Sequence, residues 1–176
     1  MLVRLALPTE AEKLVNIERS AATLFRQIPE LAWVADEQGK SVNQHLEFIV
    51  DGDCWVAVEE QQLVGFIEVE VMDKALHIWE LSVDSRWQRR GIGQSLLQQA
   101  IIQAKQLNCD HVTLTTFRDV AWNGAYYQKL GFTIIPAEKL TLPLQAILKR
   151  EVAYGFIASS RCANAIYGLI EIKYFC

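Results

Sequence analysis

Glu80-Leu81-Ser82-Val83-Asp84-Ser85-Arg86-Trp87-Gln88-Arg89-Arg90-Gly91-Ile92-Gly93 joins two kinds of hydrophobic pattern. Upstream, the run from Leu76 to Val83 is rich in Leu, Ile, Val and Trp, which predicts a strand. Downstream, Ile92, Leu96, Leu97, Ala100, Ile101, Ala104 and Leu107 trace one face of a long helix. The first turn of a helix offers N–H groups without intrahelical partners and the positive end of its dipole, and glycines let an anion approach that backbone. Gln88 to Gly93 therefore predicts an anion cradle, flanked by Arg89 and Arg90 in a way that suits a pyrophosphate or a phosphorylated ribose. A dinucleotide fingerprint would need a third glycine where Leu96 stands, and a P-loop would need Gly-Lys-Ser/Thr; the sequence has neither.

Before this stretch, Cys54 to Val58 and Leu63 to Val71 predict two more strands, forming an antiparallel meander with Leu76 to Val83. Thr9-Glu10-Ala11-Glu12 reads as the capping box of a first helix over about 9 to 26. A loop through Pro29 and Trp33 follows, then a second helix capped by Ser41 with Gln44 and stopped at Asp51-Gly52-Asp53. After the long helix, His111 to Thr116 alternates as a strand, and a right-handed crossover makes it a parallel neighbour of Leu76 to Val83. A short helix near Trp122 to Leu130, a strand over Phe132 to Ile135, and a helix begun by Pro143 and closed by Gly155 complete the order. The expected fold class is α/β, with one mixed, mostly antiparallel sheet of six or seven strands flanked by helices, in a single domain over 1–176.

With 176 residues, 51% of them hydrophobic, the chain can bury a core of its own, which excludes wholesale disorder. Its net charge of -4 gives no basic field for nucleic acid, so no nucleic-acid partner is expected. No run approaches the roughly 20 apolar residues of a membrane span, and the apolar start Met1 to Pro8 is too short for a signal peptide. No membrane partner and a cytoplasmic location are therefore expected. Cys54, Cys109, Cys162 and Cys176 form no CxxC pair, so neither a metal site nor a disulfide framework is expected.

Gln88-Arg89-Arg90-Gly91-Ile92-Gly93 directly after a strand resembles the Gln/Arg-x-x-Gly-x-Gly/Ala signature of the GCN5-related N-acetyltransferase (GNAT) family. Glu80-Leu81-Ser82-Val83 and Tyr127-Gln128-Lys129-Leu130-Gly131-Phe132 are similar to the family's fourth strand and its tyrosine-bearing C-terminal segment, and the element order over about residues 1 to 155 is similar too. The resemblance implies acetyl-CoA as donor, with the amides of the loop from Gln88 through Gln94 on its pyrophosphate. It also implies pantetheine contacts along Leu81, Ser82 and Val83, and room for the cofactor where the fourth and fifth strands splay. Asn123, one helical turn before Tyr127, is a further candidate for the pantetheine arm, although the asparagine lies further upstream in the commonest family pattern.

The implied reaction is direct attack by a primary amine on the thioester in a ternary complex. An amine of pKa about 10.4 is mostly protonated at neutral pH, so a base is expected. His77 and Glu80 are the two candidates, and strict alternation puts them on opposite faces of the strand. Glu68 and Glu70 read instead as a solvated face. The leaving thiolate calls for a proton donor, and Tyr127 fits by family position, with Tyr126 packing elsewhere on the helix. The expected acceptor is a small-molecule or peptide amine, for which Phe25, Glu30 and Trp33 offer an aromatic wall with a carboxylate. Bulk at Trp79 or Phe117 would oppose a longer acyl chain. The competing reading is a CoA-binding sensor or interaction module without turnover. The β-prone tail 164–176 is atypical of the family and is expected to extend the sheet or to contact a second copy in a homodimer.

Overall fold

The structure, a computed structural model, describes residues 1–168. Its strands are β1 (Leu2–Leu5), β2 (Cys54–Glu59), β3 (Gln62–Met72), β4 (Ala75–Val83), β5 (His111–Phe117), β6 (Thr133–Ile134) and β7 (Arg161–Tyr167). They form one open sheet in the order β1-β2-β3-β4-β5-β7-β6. The β1–β2, β2–β3, β5–β7 and β6–β7 pairs are antiparallel, whereas β4 and β5 run parallel in a register from Ala75 opposite His111 to Ile78 opposite Leu114. The helices are α1 (Ala11–Ala22), α2 (Val42–Asp51), α3 (Ile92–Gln106), α4 (Gly124–Lys129) and α5 (Leu142–Tyr154). The long helix α3 supplies the crossover between the parallel strands, as the sequence order requires. No helix among the described residues is long and apolar enough to cross a membrane.

The described residues make two compact units, Met1–Val69 with Glu80–Ala100, and Glu70–Trp79 with residues 101–168. In the first, Leu14 and Ile17 of α1, Ile49 of α2, Cys54 and Val56 of β2 and Phe66 of β3 form a buried apolar cluster. Each large side chain so buried contributes about 1.5–3 kcal/mol. Ser41 and Gln44 cap α2 reciprocally: Gln44 Oε1 accepts from the Ser41 N–H at 2.8 Å and Ser41 Oγ from the Gln44 N–H at 3.4 Å. Gly52, at φ 79°, closes the same helix in the left-handed conformation that glycine adopts without strain.

Three sequence readings of this unit need correction. The capping carboxylate at the start of α1 is Glu10, not Glu12: Glu10 Oε2 accepts from the Leu7 N–H at 2.9 Å, and both Glu10 oxygens bind Arg4 of β1 at 2.7 and 2.9 Å. That two-pronged pair fixes the entry to the helix two residues earlier than the Thr9-x-x-Glu12 pattern implied. The first helix ends at Ala22 rather than near 26, because the chain tightens into a 3₁₀ turn over Thr23–Gln27 as Thr23 Oγ1 donates to the Ser20 carbonyl at 2.6 Å. The expected loop through Pro29 is itself 3₁₀ over Pro29–Asp36.

In the second unit, Ile135, Leu144, Ile147, Ala163 and Ala165 are buried together, with Met72 and Trp79 packed against them. Pro143 lies in the first turn of α5 and Gly155 caps its end. Arg161 binds both oxygens of Glu151 at 2.6 and 2.8 Å and stacks on Phe117 at 4.5 Å, tying β7 to α5 and β5. Residues 164–167 belong to β7 and so extend the sheet; the rest of the expected tail, 169–176, lies outside the described residues.

Candidate functional site

In the first unit, β4 runs through Asp84 into the glycine loop and α3. Asp84 caps the turn by accepting from the Arg86 N–H at 3.0 Å and pairs with the Arg86 guanidinium, which holds its carboxyl below the usual range. Gln88 Nε2 donates to the Val83 carbonyl at 3.0 Å and so ties the loop back to the strand it leaves. Arg89 (φ 60°) and Gly91 (φ 80°) are both left-handed, which turns the chain sharply into α3. The Ser95 N–H makes the α-helical bond to Gly91, so the amides of Ile92, Gly93 and Gln94 precede the intrahelical ladder. A side chain at Gly91 would meet nothing within 4 Å, so the space above the turn is open, and Arg89 and Arg90 are exposed beside it. Open space, three amides and two guanidinium groups fit a bound pyrophosphate.

Close packing shapes the strand that leads into this loop. Gly65 of β3 leaves no room for a Cβ, which would fall 2.9 Å from the Ser82 carbonyl and 3.3 Å from Ile92. Ser82 is buried, its Oγ donating to Glu80 Oε1 at 2.8 Å, while Leu81 and Val83 are partly exposed.

Glu80 also ends a chain of charged side chains that the sequence reading missed. Lys40 Nζ stands 3.5 Å from Glu80 Oε2 and 3.2 Å from Glu68 Oε2; Glu68 Oε1 lies 2.5 Å from His45 Nδ1, and His45 Nε2 lies 3.2 Å from Glu18 Oε2. Glu68 is wholly buried, which corrects its reading as part of a solvated face: His45 of α2 and Lys40, just before that helix, are its partners. Glu70, two residues on, is exposed and accepts from Trp79 Nε1 at 2.7 Å. Glu18, Lys40, His45 and Glu68 share no local motif, so no spacing in the sequence marks them.

Burial opposes the charge on Lys40, but Glu80, Glu68 and Glu18 outweigh it and carry its pKa up to about 12. For His45 the same opposition is overcome by Glu18 and Glu68, which raise it to about 9, so the ring is a cation at neutral pH. The second unit holds the opposite case. His77 is buried with Nδ1 3.0 Å from Thr113 Oγ1, and burial lowers its pKa to about 4 against a weak opposing pull from Glu151. His77 is therefore neutral and a weak base.

These shifts set the pH dependence of folding. His45, raised above its ordinary 6.5, adds stability that is complete below about pH 6.5 and is lost as pH rises through about 9. His77, depressed from 6.5, makes the unfolded chain bind more protons between about pH 4 and 6.5, so stability is lost as pH falls through that window. The denaturation midpoint is expected to peak near neutrality, with His45→Gln flattening the alkaline limb and His77→Gln the part of the acid limb between those values. Urea titrations at a series of pH values read both limbs.

Also in the second unit, α4 carries Tyr127, whose ring packs edge-on against Phe132 at 5.7 Å and against Tyr126 at 5.4 Å. Burial raises the pKa of the Tyr126 hydroxyl. Asn123 Nδ2 donates to Thr116 Oγ1 of β5 at 3.0 Å, while Asn123 Oδ1 is buried without a hydrogen-bond partner. Gly124 follows because a Cβ there would sit 2.1 Å from the Arg118 carbonyl oxygen. In the first unit, Phe25 and Trp33 are partly exposed and Glu30 is exposed, all within the 3₁₀ turns between α1 and α2.

The family profile described as "Acetyltransferase (GNAT) family" matches residues 16–132. An uncharacterized N-acetyltransferase of Bacillus subtilis (strain 168), YvbK, is 28% identical over 61% of this chain and 68% of its own length. The L-amino acid N-acetyltransferase AaaT of Escherichia coli (strain K12) is 32% identical over 45% of this chain, which spans about half (52%) of that relative. Among solved structures, the PaiA N-acetyltransferase of Thermoplasma acidophilum in complex with coenzyme A superposes with a TM-score of 0.70 at 17% identity, covering 94% of this chain and 98% of that one.

Proposed function

We propose, from the premise that the chain belongs to the acetyltransferase (GNAT) family, that it transfers an acetyl group from acetyl-CoA to a primary amine by direct attack, with Glu80 as base and Tyr127 as acid. The observation that carries the donor assignment is the glycine turn into α3, with open space over Gly91 and three amides outside the helical ladder. Gln88 through Gln94 would hold the pyrophosphate, and Leu81, Ser82 and Val83 would face the pantetheine arm by family position. The buried Oδ1 of Asn123, without a partner of its own, supports a contact from Asn123 to an amide N–H of that arm.

Between the two candidate bases, geometry favours Glu80. About a quarter of its side chain is exposed, whereas His77 is buried with its Nδ1 held against Thr113 Oγ1. Glu80 takes one proton from the acceptor ammonium, directly or through water, and passes it to solvent. The N–C bond then forms as the C–S bond breaks. Tyr127 gives its proton to the departing sulfur and regains one from the nitrogen as the amide forms, so one proton leaves overall. Both units belong to one N-acetyltransferase domain on this reading, supported by a family match that runs through residues of each. A cytoplasmic site of action is supported by the buried, free thiols of Cys54 and Cys162.

The acceptor is an amino acid, another small amine or a peptide amino terminus; the AaaT relative acts on L-amino acids by its name. Thiol release from acetyl-CoA in the presence of L-amino acids, an alkyl diamine and a short peptide with a free amino terminus tests the activity. Tyr127→Phe is expected to lower kcat about 10-fold or more while leaving acetyl-CoA affinity within about twofold. Unchanged kcat in that variant removes Tyr127 from the mechanism.

A further inference from the structure

The charged chain Glu18, His45, Glu68, Lys40, Glu80 alternates in sign and reaches from α1 and α2 across β3 to β4. Lys40 is anchored at both ends. Its backbone N–H lies 3.3 Å from each Glu18 oxygen, and the preceding Gly39 is so close that a Cβ there would stand 2.7 Å from Glu18 Oε1. At its tip, the ammonium sits between Glu68 and Glu80, while Ser41, the next residue, caps α2. Lys40 is therefore held at its backbone by α1 and at its ammonium by β3 and β4.

Charge counting shows what this arrangement leaves over. Three carboxylates face two cations, so one negative charge is uncompensated. Glu68 has no exposure and lies between His45 and Lys40, while the two ends of the chain, Glu18 and Glu80, have 16% and 26% of their side chains open. Of the two ends, Glu80 is the more open and lies on the strand that leads into the glycine turn. Lys40 holds one Glu80 oxygen and Ser82 Oγ the other, so the carboxylate is oriented before any acceptor arrives.

We propose that Lys40 is a positioning residue for transfer, fixing the Glu80 carboxylate in the attitude from which it receives the acceptor's proton. This rests on the reading of Glu80 as base. Lys40 touches neither the thioester nor the amine; it acts through Glu80, with Glu68 and His45 holding it in place.

A double-mutant cycle between Lys40→Met and Glu80→Gln tests this, read as thiol release from acetyl-CoA with the fastest amine of the panel above. Lys40→Met is expected to lower kcat about 10-fold or more with acceptor KM and acetyl-CoA affinity changed less than about threefold, and Lys40→Arg to recover most of the loss. In the Glu80→Gln background, Lys40→Met is expected to cost less than about twofold more. Because Lys40→Met leaves Glu68 buried with one cation fewer, Lys40→Met/Glu68→Gln, which removes one charge of each sign, is measured beside it and is expected to fold and to show the same loss of kcat. Full kcat in the folded Lys40 variants, or an equal loss in both backgrounds, overturns the positioning role and leaves Glu80 as base. Full turnover in Glu80→Gln alone overturns the base reading, and the positioning role with it.

Discussion

Glu80→Gln lowers turnover on the order of 100- to 10,000-fold with acetyl-CoA affinity nearly unchanged, which is the range a positioned general base contributes. Gln has the shape of Glu and keeps an oxygen to accept from Ser82 Oγ, so the strand geometry survives. What it lacks is basicity. An alkyl amine with a pKa of about 10.4 is free to only about one part in a thousand near neutrality, so forming the nucleophile costs about 4 kcal/mol without help. Loss of the base is then rescued by hydroxide: the variant's rate climbs about tenfold per pH unit as the free amine increases. The measurement is kcat/KM against pH for wild type and variant. A variant within about threefold of wild type across that range assigns the proton to solvent rather than to Glu80.

The second large effect is at the glycine turn. Gly91→Asp is expected to weaken acetyl-CoA binding on the order of 100-fold, whereas Gly91→Asn weakens it far less. Gly91 has φ 80°, a conformation that Asp and Asn tolerate better than other side chains, and a Cβ there meets nothing within 4 Å. Both variants therefore fold. The difference between them is one negative charge where the pyrophosphate would lie. Two unit charges about 4 Å apart repel by about 4 kcal/mol near a protein surface, and salt screening at this exposed turn reduces that to roughly 3 kcal/mol, or about 100-fold. Calorimetric titration of the three proteins with acetyl-CoA reads the effect. Equal affinities for Asp and Asn place the anion elsewhere.

The elements that position this turn were legible in the sequence because each carries a local signal. The helical period of Ile92 to Leu107, the Ser41–Gln44 cap and the strand alternation depend on neighbours within about four residues. The short strand β1 was not legible, since four residues with Leu2 and Leu5 exposed show no pattern that separates them from coil. The entry to α1 was misread because its carboxylate is selected by Arg4, a partner that a capping pattern does not contain. The same reason hid the charged chain behind Glu80. Glu68 and Glu70 have the same spacing and the same side chain, yet one is buried and meets His45 and Lys40 while the other faces solvent. Only tertiary structure separates them.

The pattern also explains why one acid residue matters more than its neighbours. Burying Glu68 is tolerated because two cations flank it, and Glu80, the more open end of the chain, lies on the strand that leads into the glycine turn. His45, held as a cation by two carboxylates, belongs to the same balance.

The most direct test is calorimetric titration of the wild-type protein with acetyl-CoA, with free CoA and NADH titrated alongside. Saturable binding of acetyl-CoA and CoA with no heat from NADH is the predicted result, since the turn is built for a pyrophosphate without the third glycine of a dinucleotide site. Folded protein that gives no heat with acetyl-CoA would contradict the account, leaving Gln88 to Gly93 as no more than the start of a helix.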